Sequence, residues 1–264
     1  MIEWTINPKN TNKYAATVIF MEHMEELKPG YYFSDLSMSS EPFDKIFSGV
    51  GKVWEALDKK NEFLESMQAK ILGKVEDGVK IEGKIFIGEG SLIGSGSVIK
   101  GPAYIGRNCN VRYGALIRDG AVIGDNCVIG HGAEIKNSIV LNGAKIQSQS
   151  FVGDSIIGAA GRIASGVITG NRRFDQKIID VNVNGKKIST NMDKFGCVIG
   201  DHSRLGVNVT TAPGTLVGPH SWIYPNIFLR GFVKENSLVK LKQNLEICEK
   251  EKIILKSLDK DGRK

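Results

Sequence analysis

The chain is poor in the side chains that build metal centres and disulfide frameworks. Its 264 residues include only four cysteines and four histidines. Cys109, Cys127, Cys197 and Cys248 form no C-x-x-C, which argues against a zinc site or a redox pair and fits a reduced compartment. His23, His131, His202 and His220 show no ligand spacing. His202 and His220 are eighteen residues apart, but no third ligand accompanies them, so no metal is expected. Long apolar runs are also lacking. The longest, AATVIFM (15–21), is far too short to span a bilayer. The N-terminal MIEWTINPKN has no signal-peptide pattern. The expectation is a cytoplasmic protein with no membrane partner. Motifs of the common nucleic-acid folds are missing too, and no nucleic-acid partner is expected. The net charge of +6 and pI near 9.0 are explained equally well by small anionic substrates.

What the chain has in quantity is glycine, 31 residues, and a rhythm. Aliphatic residues fall at Val75, Ile81, Ile87, Ile93, Ile99, Ile105, Val111, Ile117, Ile123, Ile129, Ile135 and Leu141, twelve consecutive hits at period six. Four positions later the residue is small, as at Ser91, Ser97, Ala103, Cys109, Ala115, Ala121, Cys127 and Ala133. One position later it is often glycine, as at Gly88, Gly94, Gly106, Gly124 and Gly130. The beat fails within KIQSQSFVGDS (145–155) and resumes one residue early, through Ile157 and Ile163. After an excursion it returns at Ile199, Leu205, Thr211, Val217, Ile223 and Leu229.

Period six is neither helical nor simple alternation. It is the hexapeptide signature of a parallel β-helix, an all-β fold in which three hexads close a coil of eighteen residues and coils stack at roughly 4.8 Å. Residues 1–70 lie outside the repeat. Within them, 41–67 reads as one or two amphipathic helices with Trp54, Leu57 and Leu64 on the apolar side, a short N-terminal helical cap over the first coil. The β-helix is expected over 71–235, with an excursion at 169–198 whose Asn184-Gly185 marks a hairpin. The charged tail, 236–264, reads as a short strand or helix followed by frayed residues.

Stacking at eighteen residues aligns three columns. Lys100, Arg118 and Lys136 are three cations in register, either an anion site, since an anion would relieve their repulsion, or solvated surface charge. Tyr113 and His131 continue to Ser148 or Gln149, which sets a histidine beside the broken rhythm. Cys109 over Cys127 reads as interior filler.

The stretch GPAYIGRNCNVRYGALIRDGAVIGDNCVIGHGAEIKNSIVLNGAKI, the later FVGDSIIG and KFGCVIGDHSRLGVNV resemble the left-handed β-helix domain of sugar-1-phosphate nucleotidyltransferases. Within that group they are most similar to the glucosamine-1-phosphate N-acetyltransferase part of UDP-N-acetylglucosamine pyrophosphorylases. The resemblance covers about residues 30–235. It implies a left-handed β-helix, acetyl-CoA as co-substrate, a sugar phosphate as acceptor and a homotrimer, and it leaves room for a separate nucleotidyltransferase partner. It does not imply nucleotidyl transfer here, because no G-x-G-T-R stretch occurs and the first seventy residues cannot hold the domain that activity needs.

By the same resemblance, Arg118, Lys136 and Lys194 match the sugar-phosphate cations. Ser148 stands where the family has its histidine base, and Phe151 where it has a sugar-holding tyrosine. Arg162 replaces a sugar-binding asparagine, and Val207 a cofactor-contacting serine. The implied activity is an acyl-CoA-dependent transfer to an amino-sugar 1-phosphate with altered site residues and His131 as substitute base. The alternative is a catalytically degenerate binding or scaffold subunit.

Overall fold

The computed structural model describes residues 24–249. The apolar stretch 15–21, His23 and tail residues 250–264 therefore lie outside the described residues. From Lys70 to Val239 the chain winds through three parallel sheets of nine, nine and eight short strands, here sheets A, B and C in the order the chain visits them. Partners across sheet A run Ile87, Ile105, Ile123; across B, Ile93, Val111, Ile129; across C, Ile99, Ile117, Ile135. All nine are fully buried and point into the prism. Each such aliphatic side chain contributes roughly 1.5–3 kcal/mol by its removal from water. Cys109 and Cys127 are free, buried thiols in this interior, as expected. The glycine after the aliphatic position answers a steric demand: a Cβ at Gly88 would lie 2.6 Å from the carbonyl carbon of Gly106 on the next coil.

The rhythm breaks elsewhere than expected. Ile123 pairs with Val140, not Leu141, a step of seventeen residues. The chain is therefore one residue short already at Lys136–Ile139. Val140 pairs with Ile157, a second seventeen-residue step, because the passage from Val152 to Ile157 is also short. Both losses fall at the same corner of the prism, where sheet C hands over to sheet A. A full-length C-to-A corner uses two left-handed residues, Asp119 (φ 57°) and Gly120 (φ 85°). The shortened ones use a single residue, Asn137 (φ 47°) and then Asp154 (φ 48°). On the next coil this corner swells into the excursion between Thr169 and Cys197, which carries the antiparallel hairpin Asp180–Val183 with Lys186–Ser189. The hairpin turns on Asn184 and Gly185, both at positive φ, as the sequence predicts. Parallel pairing continues to Leu238–Val239, past residue 235.

The helical segment does not cap the first coil. Among the described residues, four α-helices, α1 (Pro29–Tyr32), α2 (Asp35–Met38), α3 (Phe43–Phe47) and α4 (Ala56–Ser66), run along the outer face of sheet A. They run from the last coils toward the first. Tyr31 bonds Glu235, Asp201 N donates to the Tyr32 carbonyl at 2.9 Å, and Asn142 Nδ2 donates to Ser40 Oγ at 3.0 Å. Phe63 meets Tyr104 edge-on at 5.3 Å. The physical reason is the column Val122, Ile139, Ile156, Val198 and Leu216, outward-facing residues of sheet A that are apolar and fully buried beneath the helices. Trp54, Leu57 and Leu64 supply the opposing side, each 1% exposed.

Candidate functional site

The remodelled C-to-A corner holds a buried polar cluster centred on Asp154, whose side chain is 2% exposed. Lys136 Nζ lies 2.9 Å from Asp154 Oδ2. Asn137 Nδ2 donates to Asp154 Oδ1 at 2.6 Å, and Asn171 Nδ2 to Oδ2 at 2.5 Å. Asn137 comes from the first short corner, Asp154 from the second, and Asn171 from the start of the excursion. The shortened coils thus bring three successive corners onto one carboxylate. From the helical side, Lys60 of α4 enters fully buried, its Nζ donating to Asn137 Oδ1 at 2.7 Å and Asn61 Oδ1 at 3.0 Å. Burial lowers the Lys60 pKa to about 8, against the opposing pull of the Asp154 charge.

The cation column Lys100, Arg118, Lys136 stands in register as expected, with strand partners linking Arg118 to Lys136. The chain itself already relieves its repulsion. Lys100 pairs with Glu82 at 3.9 Å, Arg118 with Glu134 at 2.7 Å and with Asp119, and Lys136 with Asp154. An external anion is therefore not required to neutralise the column. Lys194 is exposed where the excursion returns to this corner, beside Phe195, and forms no ion pair among the described residues.

His131 and Ser148 occupy a different corner, between sheets B and C. Ser148 is the residue that stacks beneath His131, since Gln149 N donates to the His131 carbonyl just as Gly132 N donates to that of Tyr113. The His131 ring is exposed, and its Nδ1 lies 2.7 Å from the Tyr113 carbonyl oxygen. A carbonyl only accepts, so Nδ1 carries the hydrogen and Nε2 is left as the proton-accepting nitrogen. The Ser148 hydroxyl has no hydrogen-bond partner among the described residues, so no base activates it.

The two corners are the two ends of sheet C. His131 precedes the strand Glu134–Lys136 and Lys136 ends it, so the two lie at most about 16 Å apart along extended chain. Phe151 lies on sheet C between them, stacked below Glu134, with its ring over Gly153, where a Cβ would come within 2.5 Å of Phe151 Cζ. Arg162 does not join this set. It points outward from sheet B, in register with Lys145 and Arg204. Sequence reasoning missed Asp154, Asn137, Asn171 and Lys60. Of these, Asp154 stands eighteen residues after Lys136 but is not its strand partner, which is Gly153, because the coil here is seventeen residues long.

Residues 99–193 match the family model described as the GMPPB C-terminal domain. Among curated relatives, the Bifunctional protein GlmU of Methanococcus maripaludis strain C7 is 46% identical over 204 residues, covering 77% of this chain and 49% of that protein. The Bifunctional sugar-1-phosphate nucleotidylyltransferase/acetyltransferase of Sulfurisphaera tokodaii is 39% identical over 184 residues, covering 69% of this chain and 46% of that protein. The chain spans about half the length of the curated relatives it matches. Among solved structures, the UDP-N-acetylglucosamine acyltransferase of Campylobacter jejuni is 15% identical, with 61% of this chain and 68% of that chain covered at a TM-score of 0.37. No helix among the described residues is long and apolar enough to cross a membrane, and those residues hold no group of three or more potential metal ligands.

Proposed function

We propose, on the premise that this β-helix is the hexapeptide-repeat domain carried in the C-terminal half of the bifunctional sugar-1-phosphate enzymes, that the chain is an acyl-CoA-dependent transferase acting on an amino-sugar 1-phosphate. The observation that carries this reading is the similarity, across the β-helix, to a protein named for acetyl transfer as well as nucleotidyl transfer. The second of those activities is not assigned to this chain, whose sequence contains no G-x-G-T-R stretch.

The acceptor would lie across sheet C. Its phosphate meets the cationic end, where Lys194 has no carboxylate partner among the described residues and the partly exposed Arg118 exchanges Glu134 or Asp119 for phosphate oxygens. Lys136 is held in place by Asp154 and presents a fixed charge to the same anion. The sugar ring rests on Phe151, which supplies an apolar surface and no hydroxyl. The amine points to the opposite end. There the nitrogen attacks the thioester carbonyl, His131 Nε2 takes the proton the nitrogen sheds, and the thiolate of the donor leaves as the amide forms. Acetyl-CoA is the donor this reading uses. His131 is the base it uses because Ser148 has nothing to activate it.

The test is free-thiol release from acetyl-CoA with glucosamine 1-phosphate, with glucosamine as the control acceptor. Phosphate-dependent release is the expected result, and His131→Ala is expected to slow it by about 10² to 10⁴-fold. A folded protein that releases no thiol with either acceptor overturns the reading. A second reading, a binding or scaffold subunit without turnover, is favoured by Ser148 and Phe151 at the altered positions and by the carboxylates that already neutralise the cation column. It predicts thermal stabilisation by sugar phosphate in the absence of thiol release.

A further inference from the structure

Helix α4 buries a lysine where its packing asks for an apolar side chain. Leu57, Lys60 and Leu64 follow one another at spacings of three and four residues, so they share the face that α4 turns toward sheet A. Lys60 is completely buried there. Taking an ammonium group out of water costs several kcal/mol, and a methionine would fill the same space without that cost. Helix packing alone does not account for the charge.

Its contacts do. The Lys60 Nζ meets the C-to-A corners of two successive coils. It donates to Asn137 Oδ1 at 2.7 Å, and a Cβ at Gly120 would come within 3.3 Å of it. These are the corners that follow the strands ending in Arg118 and Lys136. Its second acceptor, Asn61 Oδ1 at 3.0 Å, is also uncharged. A lysine only donates, so the Asn137 amide turns its oxygen to Lys60 and its nitrogen to Asp154. Asn137 Nδ2 then holds Asp154 Oδ1 at 2.6 Å, and Asp154 Oδ2 faces the Lys136 Nζ at 2.9 Å. Without Lys60 the amide oxygen loses its buried donor, and the corner loses half of that constraint.

The cluster also carries unbalanced charge. The charged groups around Lys60 are Asp154 and Lys136 from the coils and Asp58 from its own helix. Asp58 is exposed, so inside the fold two ammonium groups share one carboxylate. An anion at the sheet C end would offset the surplus. We propose that Lys60 is a positioning residue for the acceptor: through Asn137 and Asp154 it fixes the Lys136 ammonium, and its charge strengthens the hold on the acceptor's phosphate from within the fold. This rests on the placement of that phosphate under the transferase reading. Helix α4 thereby becomes part of the acceptor site as well as the cover of sheet A.

Burial holds the Lys60 pKa at about 8 in the free chain, and a bound phosphate favours the charged form. Binding above that pH therefore draws in a proton, and affinity falls by at most about tenfold per pH unit, the limit for one linked proton. The full chain is titrated with glucosamine 1-phosphate by calorimetry, in two buffers of different protonation heat, from neutral pH to well above 8. The expected result is proton uptake that Lys60→Met abolishes, with affinity at neutral pH about tenfold lower in that variant. Replacing a buried charge by an apolar side chain of similar volume is often neutral for stability, so the variant should fold. Asn137→Gly keeps the left-handed corner and removes the relay; it should weaken binding to a similar degree, and the double variant no further. A ligand-free measurement separates the two claims. Nitrogen NMR of the lysine side chains should show the Lys136 ammonium exchanging slowly with water in the native chain and rapidly in Lys60→Met. Affinity and proton uptake unchanged in Lys60→Met, or a Lys136 signal identical in the two chains, overturns the proposal. If the native chain binds no glucosamine 1-phosphate while Lys60→Met still releases Lys136, the acceptor reading falls and the link from Lys60 to Lys136 stands.

Discussion

At the scale of single residues, Asp154 decides how the cationic corner behaves. It is one carboxylate receiving Lys136, Asn137 and Asn171, with Lys60 one hydrogen bond further away through Asn137. Removing one partner of a buried ion pair leaves the other charge uncompensated, which costs about 3–5 kcal/mol. Asp154→Ala should therefore destabilise the chain by that order, measured as a shift of the urea midpoint at constant slope. A loss below about 1 kcal/mol would mean that solvent reaches the cluster. Lys60 gives a second, pH-dependent signature. Its folded-state pKa is about 8, below the ordinary lysine value of 10.5, chiefly because burial disfavours the charged form. Between those two values the unfolded chain binds more protons at this site than the folded chain, so this group makes stability rise with pH through that window. The full shift corresponds to roughly 3 kcal/mol. The stability difference between the native chain and Lys60→Met should move in favour of the native chain as pH climbs from 8 toward 10.5. A difference that stays flat over that range would show Lys60 to be solvated.

At the scale of elements, the short corners make the cluster. A corner with two left-handed residues, such as Asp119-Gly120, would hold Asn137 away from Asp154. Inserting one glycine after Asn137 should restore the eighteen-residue step and break both the Asn137–Asp154 and the Lys60–Asn137 bonds. Hydrogen bonds to charged groups contribute about 1.5–3 kcal/mol each. The insertion should therefore lower stability by about 3 kcal/mol or more while leaving the strand signal in circular dichroism intact. A neutral insertion would mean that the corner length carries no energetic weight. The same corners mark where the sequence stops being legible. Up to Ile135 the period-six residue is the inward one at each step, even where a second aliphatic precedes it, as Val122 does Ile123. At Ile139-Val140-Leu141 three aliphatic residues stand together, and periodicity alone selects Leu141. The structure turns Val140 inward and sends Ile139 and Leu141 outward beneath the helices, because sheet A is buried on both faces. The helices themselves were legible from Trp54, Leu57 and Leu64, but their place was not. The signal that fixes it is the outward apolar column through Val122, Ile156 and Leu216, which appears only once the true register is known. The cation column was readable from spacing, and so was Glu82, the direct strand partner of Lys100 eighteen residues before it, whereas Glu134 reaches Arg118 diagonally across strands.

At the scale of the whole molecule, the three faces of the prism are unequal. Among the described residues the helices cover sheet A, and no helix packs on sheets B and C. On the later coils sheet C exposes Ile168 (41%) and Phe228 (65%), which lie in one outward column with Phe151 through Thr210. Apolar residues stacked on an otherwise polar face mark a contact surface. The prism also suits closed cyclic assembly, in which one face meets a different face of the next copy and the ring closes after three. The expected outcome is a homotrimer of about three times the 28.8 kDa chain mass, read by light scattering on a sizing column. Placing carboxylates at both positions, Ile168→Asp with Phe228→Asp, buries like charge in that contact and should release folded monomer. In a trimer the sheet C face of one copy meets its neighbour, so monomer formation should depress thiol release. If the double variant remains trimeric, the contact lies elsewhere on the prism. If it becomes monomeric and keeps full thiol release, each chain holds a complete acceptor site on sheet C, and the short corners around Asp154 suffice to build it.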